Sequence, residues 1–385
     1  MIQTSMLRLL AQTTTVLTLA GAVQAGSSTT MASSGGKGPQ AQVQPKEESV
    51  FDSIWGLASL YKNDSNTFLE ELALTGRYHG QYHYEDGGST TDDDWDNRRF
   101  RLGLEATMLE KHLKLKAEMF SDLNPGGAFY EGFTEIWAAW KFSDELTVTI
   151  GKQKPKFGYE WSTSSRLIKT FERGALINQF KPDYAPGASF SGKSGKLSYY
   201  GGVYSNQVDG EFGQFDGGYS IIASLGYDVA DVFGTDKAQV RLDYIHSERD
   251  SRDTVFTTFD NGLSASLDIK QGNIGLVSEV LAAFGDQNNV ALILTPTYDI
   301  TKKLQLVGRY QLGLSDSETG LAPLKRYEKD VGAGNGDVYN AFYLGFNYFI
   351  YGDKLKLMAG AEYSTMSGGK GNDTLSLLAG IRAYW

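Results

Sequence analysis

The stretch ELALTGRYHGQYHY, residues 71–84, decides how the rest of the chain is read. Its even positions carry Leu72, Leu74, Tyr78, Tyr82 and Tyr84; its odd positions carry Glu71, Thr75, Arg77, His79, Gln81 and His83. A period of two with one apolar and one polar face belongs to a β-strand. RRFRLGLEATML (98–109) repeats the pattern, setting Phe100, Leu102, Leu104, Ala106 and Met108 against Arg99, Arg101, Glu105 and Thr107. HLKLKAEMF (112–120) opposes Leu113, Leu115, Ala117 and Met119 to Lys114, Lys116 and Glu118. TLSLLAGIRAYW (374–385) alternates Leu375, Leu377, Ala379, Ile381 and Ala383 up to Trp385. Sixteen such strands are predicted between residues 68 and 385, with the weakest alternation at 185–192, 258–269 and 289–300.

The connections alternate as the strands do. Long, polar ones follow odd-numbered strands (85–94, 205–217, 315–336), and short ones such as Glu110-Lys111 follow even ones. That asymmetry is expected of an antiparallel transmembrane β-barrel, with loops on one rim and turns on the other. A sandwich would have to bury a face of each sheet, and no blade-length repeat supports a propeller. In a barrel the apolar face meets lipid and the polar face lines the lumen. Parity therefore places Arg77, Arg99, Arg101, Lys114, Lys116 and Arg309 on the lumen wall, along with Glu105, Glu118, Glu279 and Glu362.

Composition agrees with a barrel. The 385 residues include 22 Tyr, 20 Phe, 6 Trp and 45 Gly, but no Cys. No disulfide framework is available, and no run of apolar residues is long enough for a spanning helix. Residues 1–25 read as a signal peptide, with Arg8, an apolar run at 16–23 and a small-residue site ending at Ala25. Residues 26–48 read as a flexible linker, and 49–66 as a short amphipathic helical or periplasmic segment with Ser49 or Asp52 as its cap. The barrel occupies 67–385. A formal charge of −10 excludes general nucleic-acid binding.

Against that acidic background, residues 152–184 hold seven basic side chains (Lys152, Lys154, Lys156, Arg166, Lys169, Arg173, Lys181) and three acidic ones, a net of +4. The segment is too long for an ordinary hairpin loop. Gly151 precedes it, and it contains Pro155, Phe157, Gly158 and Glu160, then Thr163-Ser164-Ser165-Arg166, then Phe171-Glu172-Arg173, while Arg98 and Arg99 stand paired upstream.

In these elements the chain resembles the phosphate-selective porins of the O and P type, departing from their pattern at Lys156 and Trp161. The resemblance implies an outer-membrane porin whose third loop folds into the lumen. Its cations, Lys152, Lys154, Lys156, Arg166, Lys169 and Arg173, would then select small anions such as phosphate. It also implies a homotrimer set in outer-membrane lipid. The final aromatic, Trp385, stands where such barrels usually end in Phe.

Two rival readings remain open at this stage. One is a weakly selective porin, in which lumen carboxylates cancel the basic residues and wall Arg residues serve as reinforcement. The other is a barrel that carries an adhesin or an enzyme. Neither a catalytic grouping nor a cofactor is expected. No metal site is expected either: His79 and His83 lie too far apart along one strand, and the aspartates at 92, 94 and 96 lack the remaining residues of a calcium loop.

Overall fold

The computed structural model describes residues 49–208, 211, 217–249, 257–285, 288–369 and 371–385. The expected signal peptide and linker lie outside these residues. The chain divides after Leu57 into two units. In the first, helix α1 (Val50–Gly56) starts from a reciprocal cap: Ser49 Oγ accepts from Asp52 N at 3.2 Å, and the Asp52 carboxylate accepts from Ser49 N at 2.9 Å.

The second unit is made of strands. These are β1 (Ser59–Lys62), β2 (Leu69–Asp86), β3 (Thr91–Met108), β4 (Leu113–Ser121), β5 (Phe133–Lys141) and β6 (Thr147–Gln153). There follow β7 (Ala185–Ser194), β8 (Leu197–Ser205), β9 (Gly218–Asp228), β10 (Lys237–Arg249), β11 (Asn261–Gln271) and β12 (Ile274–Phe284). The last five are β13 (Asn289–Asp299), β14 (Leu304–Ser315), β15 (Val338–Tyr351), β16 (Leu355–Ser367) and β17 (Thr374–Tyr384). From β2 onward each strand pairs antiparallel with the next, and β17 returns to β2 in a register running from Leu375↔Asp86 to Tyr384↔Arg77. The sixteen strands β2–β17 thus close a barrel, as the alternation predicts. Closure leaves no unpaired edge, which lipid could not solvate.

Closure is completed at the seam by Trp385 and β1. The Trp385 N–H donates to Gly76 O at 3.2 Å and the Gly76 N–H to Trp385 O at 3.1 Å, while β1 takes the remaining edge of β2 at residues 71–73. A Cβ on Gly76 would stand 2.5 Å from the Trp385 ring, so only glycine lets the terminal aromatic lie across the seam.

The outer face is the apolar one. Leu242 and Phe342 are each more than 60% exposed, and Leu104, Leu225 and Leu344 extend the same band. Such a continuous apolar surface is that of a lipid-facing wall. Among the described residues no helix is long and apolar enough to cross a membrane, so the strands do the crossing.

One expectation about the connections needs correcting. The stretch at 85–94 is not a long loop: β2 and β3 stay paired out to Asp86↔Thr91, and the hairpin turns over residues 87–90. Cross-strand pairs such as Tyr82↔Trp95 make the extended ribbon more favourable than a solvated loop. The connection at 154–184 is the long one the sequence anticipates. It contains α2 (Tyr159–Ser162) and α3 (Ile177–Phe180), and α4 (Ala230–Phe233) lies between β9 and β10.

Candidate functional site

Segment 154–184 lies against lumen-facing side chains, and its two sides differ. On one, Phe157, Leu176, Ile177 and Phe180 pack against Ile245, Leu281, Ala291, Ile293, Tyr339 and Ala341 in a core with no exposure above a few percent. This explains the weak alternation of β13: its inner face carries Ala291 and Ile293 because it covers loop rather than water. On β11 the inner face is small, and a Cβ on Gly262 would meet Phe259, Ile245 and Phe157 within about 3 Å.

Wall side chains hold the loop backbone from the same side. Asp243 accepts from Gly158 N at 3.1 Å, and Glu279 takes the next two amides, Tyr159 N at 2.6 Å and Glu160 N at 3.0 Å. Gly158 has φ +73°, a conformation only glycine adopts cheaply, and it turns these three amides toward the two carboxylates. Arg309 donates to Glu172 O (2.7 Å), Thr170 Oγ1 (3.1 Å) and Glu160 Oε1 (3.2 Å), and pairs with Glu362 at 2.6 Å. Lys356 donates to Ile168 O, Asn347 to Lys169 O and Arg382 to Phe171 O, at 3.0, 2.9 and 3.1 Å. Arg309 therefore faces the lumen as parity predicts, and there it clamps the loop.

On the other side the loop faces the wall of β2–β7 across two cavities. The cavity nearer the short-turn rim, about 450 Å³, is lined by six cations (Arg77, Lys114, Lys116, Lys154, Lys156, Arg166) and one carboxylate, Glu135. The cavity nearer the long-loop rim, about 430 Å³, is lined by Arg98, Arg99, Arg101, Arg173, Lys181 and Arg326 against Glu172 and Asp183. Ser165 and Tyr184 line both, so the cavities meet there. Arg77 donates to Ser165 Oγ at 2.8 Å and Arg101 to Tyr184 Oη at 3.1 Å, fixing that narrow point from the wall.

Two buried carboxylates organise this cationic wall. Glu118 accepts both its 2.9 Å bonds from Arg77 and has Arg101 at 3.2 Å, with Lys116 and Arg166 each at 3.6 Å. Glu172 of the loop accepts from Arg98 Nε at 2.8 Å and from Arg99 at 3.2 Å. Both arginines reach it because the β2–β3 register shifts between His79 and Gln81, letting neighbours in sequence point to one partner. Burial alone would raise the Glu172 carboxyl, but Arg98 and Arg99 hold it below the usual carboxylate range. In each group one negative charge faces two or more positive ones, so the excess stays on the channel side.

Aromatic rings hold further cations. Lys154, Lys181 and Arg173 stand 4.4, 4.6 and 5.0 Å from the centre of the Trp161 ring, and Lys156 lies 5.3 Å from that of Tyr200. Lys154 also donates to Thr163 O at 3.0 Å. Burial, then the charges of Arg173 and Arg101, holds its ammonium well below the ordinary lysine range; burial and Arg241 lower Lys156 as well.

Of the six loop cations named from the sequence, Lys154, Lys156, Arg166 and Arg173 line the two cavities. Lys152 does not. Strand β6 continues to Gln153, so Lys152 shares the parity of Ile150 and turns to the barrel's outer face, where it donates to Val208 O at 3.3 Å. Lys169 also lies elsewhere, in a small cavity with Thr170, Glu279 and Thr295, within the field of Asp268 and Asp299. Glu172 is paired with Arg98 and Arg99, whereas Arg173 donates to Glu160 O and Thr163 O. Sequence reasoning did not single out Arg326, Trp161 or Tyr184 as lining residues. Only the position of Trp161 amid loop cations hinted at its place.

A closed sixteen-stranded barrel with an apolar exterior and an inward third loop defines an outer-membrane porin, a water-filled channel for passive diffusion. The model of the phosphate-selective porin O and P family matches residues 72–258, and over that span the chain is similar to this family. Solved structures of the same fold include an anion-selective porin from Comamonas acidovorans (TM-score 0.58, 12% identity, covering 82% of this chain and 99% of that one). OprB of Pseudomonas putida (0.60, 12%, 82% and 94%) and OmpF of Salmonella typhi (0.59, 13%, 85% and 100%) are also similar. No curated protein matches in sequence. Family and fold are those of a channel rather than an enzyme.

Proposed function

We propose that the chain passes small anions, phosphate among them, along the wall of β2–β7, and does so as a homotrimer in outer-membrane lipid. The observation that carries this reading is the lining of the two cavities, six cations to one carboxylate in one and six to two in the other. Cations fixed on a low-dielectric wall raise the local concentration of anions. They also exchange part of an anion's hydration for hydrogen bonds without wrapping it so completely that it cannot leave. Arg77, Arg101 and Arg166 offer planar forks suited to oxyanions, whereas Lys154 and Lys156 act as point charges. The similar Comamonas porin is anion-selective and the matched family is that of phosphate-selective porins, and both support this reading.

The test is a planar-bilayer recording under a salt gradient. A reversal potential of anion-selective sign and a chloride current reduced by added phosphate are expected. A potential at zero or of cation-selective sign overturns the reading. Cross-linking of the native protein to a three-chain species checks the assembly.

A further inference from the structure

The rim of the β2–β3 ribbon carries a side-chain group that the channel reading leaves unused. His83 and Glu85 are two apart on β2 and so share the inner face, and Asp92 is the direct cross-strand partner of Glu85 on β3. One ligand atom from each of the three lies within 4.8 Å of the others. Glu85 is 0% exposed. Its Oε2 sits 2.5 Å from His83 Nδ1, while its Oε1 is buried with no hydrogen-bond partner among the described residues. A buried carboxylate oxygen without a partner is costly, and such an atom calls for an ion or a water.

We propose that His83, Glu85 and Asp92 form a binding site for a divalent transition-metal ion, zinc being the probe. One imidazole nitrogen and two carboxylates balance a doubly charged ion, and imidazole favours zinc-like ions over calcium or magnesium, which take oxygen ligands. Zinc bonds to these groups are about 2.0–2.2 Å long, which puts tetrahedral ligand atoms roughly 3.4 Å apart. Asp92, the least buried of the three, has the freedom to close on the other two. The local field favours a cation too. Asp330, from the connection at 316–337, is held above the ordinary carboxyl range by burial and by the charge of Asp92. The ligand set spans two strands, so spacing along either one does not reveal it. The Tyr327 ring lies 5.3 Å from that of His83 and also lines the cavity at the long-loop rim, so metal bound here would stiffen the edge of the pore entrance.

Calorimetric titration of the full-length barrel in detergent with Zn2+, and separately with Ca2+, tests this. One zinc per chain is expected, bound more tightly than calcium, with His83→Gln and Asp92→Asn each weakening it by about tenfold or more. Asp93→Asn, on the opposite face where Asp93 accepts from Tyr82, should leave zinc binding unchanged. If His83→Gln fails to fold, Asp92→Asn at the more exposed position decides alone. No zinc binding at millimolar concentration, equal binding of calcium, or zinc binding insensitive to Asp92→Asn overturns the proposal.

Discussion

The two halves of the lumen are built on opposite rules. Along β2–β7 the wall is ionic, with arginines gathered on Glu118 and Glu172 and facing open cavities. Along β10–β16 it is covered by the loop, with Leu281, Ile293 and Ala341 in a dry core and buried polar side chains such as Glu279 and Arg309 clamping the loop backbone. The same residue type does different work in each half. Arg101 borders the cavity at the long-loop rim, while Arg309 lies under the loop holding the Glu172 carbonyl. Lumen-facing parity thus identifies cations that meet the channel's contents together with cations that are part of its masonry.

The comparison breaks most visibly if the dry half is made wet. Ile177→Asp places a charge in a 0% exposed position, at a cost of several kcal/mol. The barrel should still insert, since its strands are untouched. Single-channel conductance should rise several-fold as the loop leaves the lumen, and anion preference should fall with it. Unchanged conductance would show that the apolar core does not hold the constriction.

On the ionic half, replacing Lys154, Lys156 and Arg166 together with Gln should leave the loop in place and cost on the order of tenfold in anion preference. The readout is the reversal potential. A shift smaller than that of the Ile177→Asp channel would still separate charge from packing, whereas no shift would make these cations bystanders.

A finer distinction comes from pH. An ordinary lysine loses its proton near pH 10.4. Because Lys154 and Lys156 are held below the ordinary range, their charge disappears, as pH rises, before that of surface lysines. Anion preference should therefore decline on the alkaline side ahead of ordinary lysine titration, and the Gln triple variant should lose that decline. The smallest effect belongs to Lys152→Gln. Facing outward from β6, it should leave reversal potential and conductance unaltered, in contrast to Lys154 two residues on; a clear change in selectivity would refute its placement.

How much of this could be read from the sequence follows the same division. The strands and the closure were legible because lipid outside and polar groups inside enforce a period of two, as in β2 and β14. The weak alternation of β13 was a signal in itself, since a strand that buries loop on its inner face, as at Ala291 and Ile293, loses part of the polar half of the pattern. The basic segment also stood out. Its two faces did not, because an irregular loop with two short helical turns has no period to sort Lys154 from Lys169. Lys152 was misplaced for a plainer reason: the strand runs on past the position where charge suggests a loop. The cross-strand grouping of Arg98 and Arg99 on Glu172 required a register shift that no pattern of apolar residues records.

The clamps on the loop also bear on the order in which the molecule can be made. The loop leaves β6, but its holders, Asp243, Glu279, Arg309, Asn347, Lys356 and Arg382, lie on strands that are synthesised later, down to the last. A partly built barrel therefore has no finished constriction. The last of these clamps, Arg382, and the seam that Trp385 closes both come with the final strand.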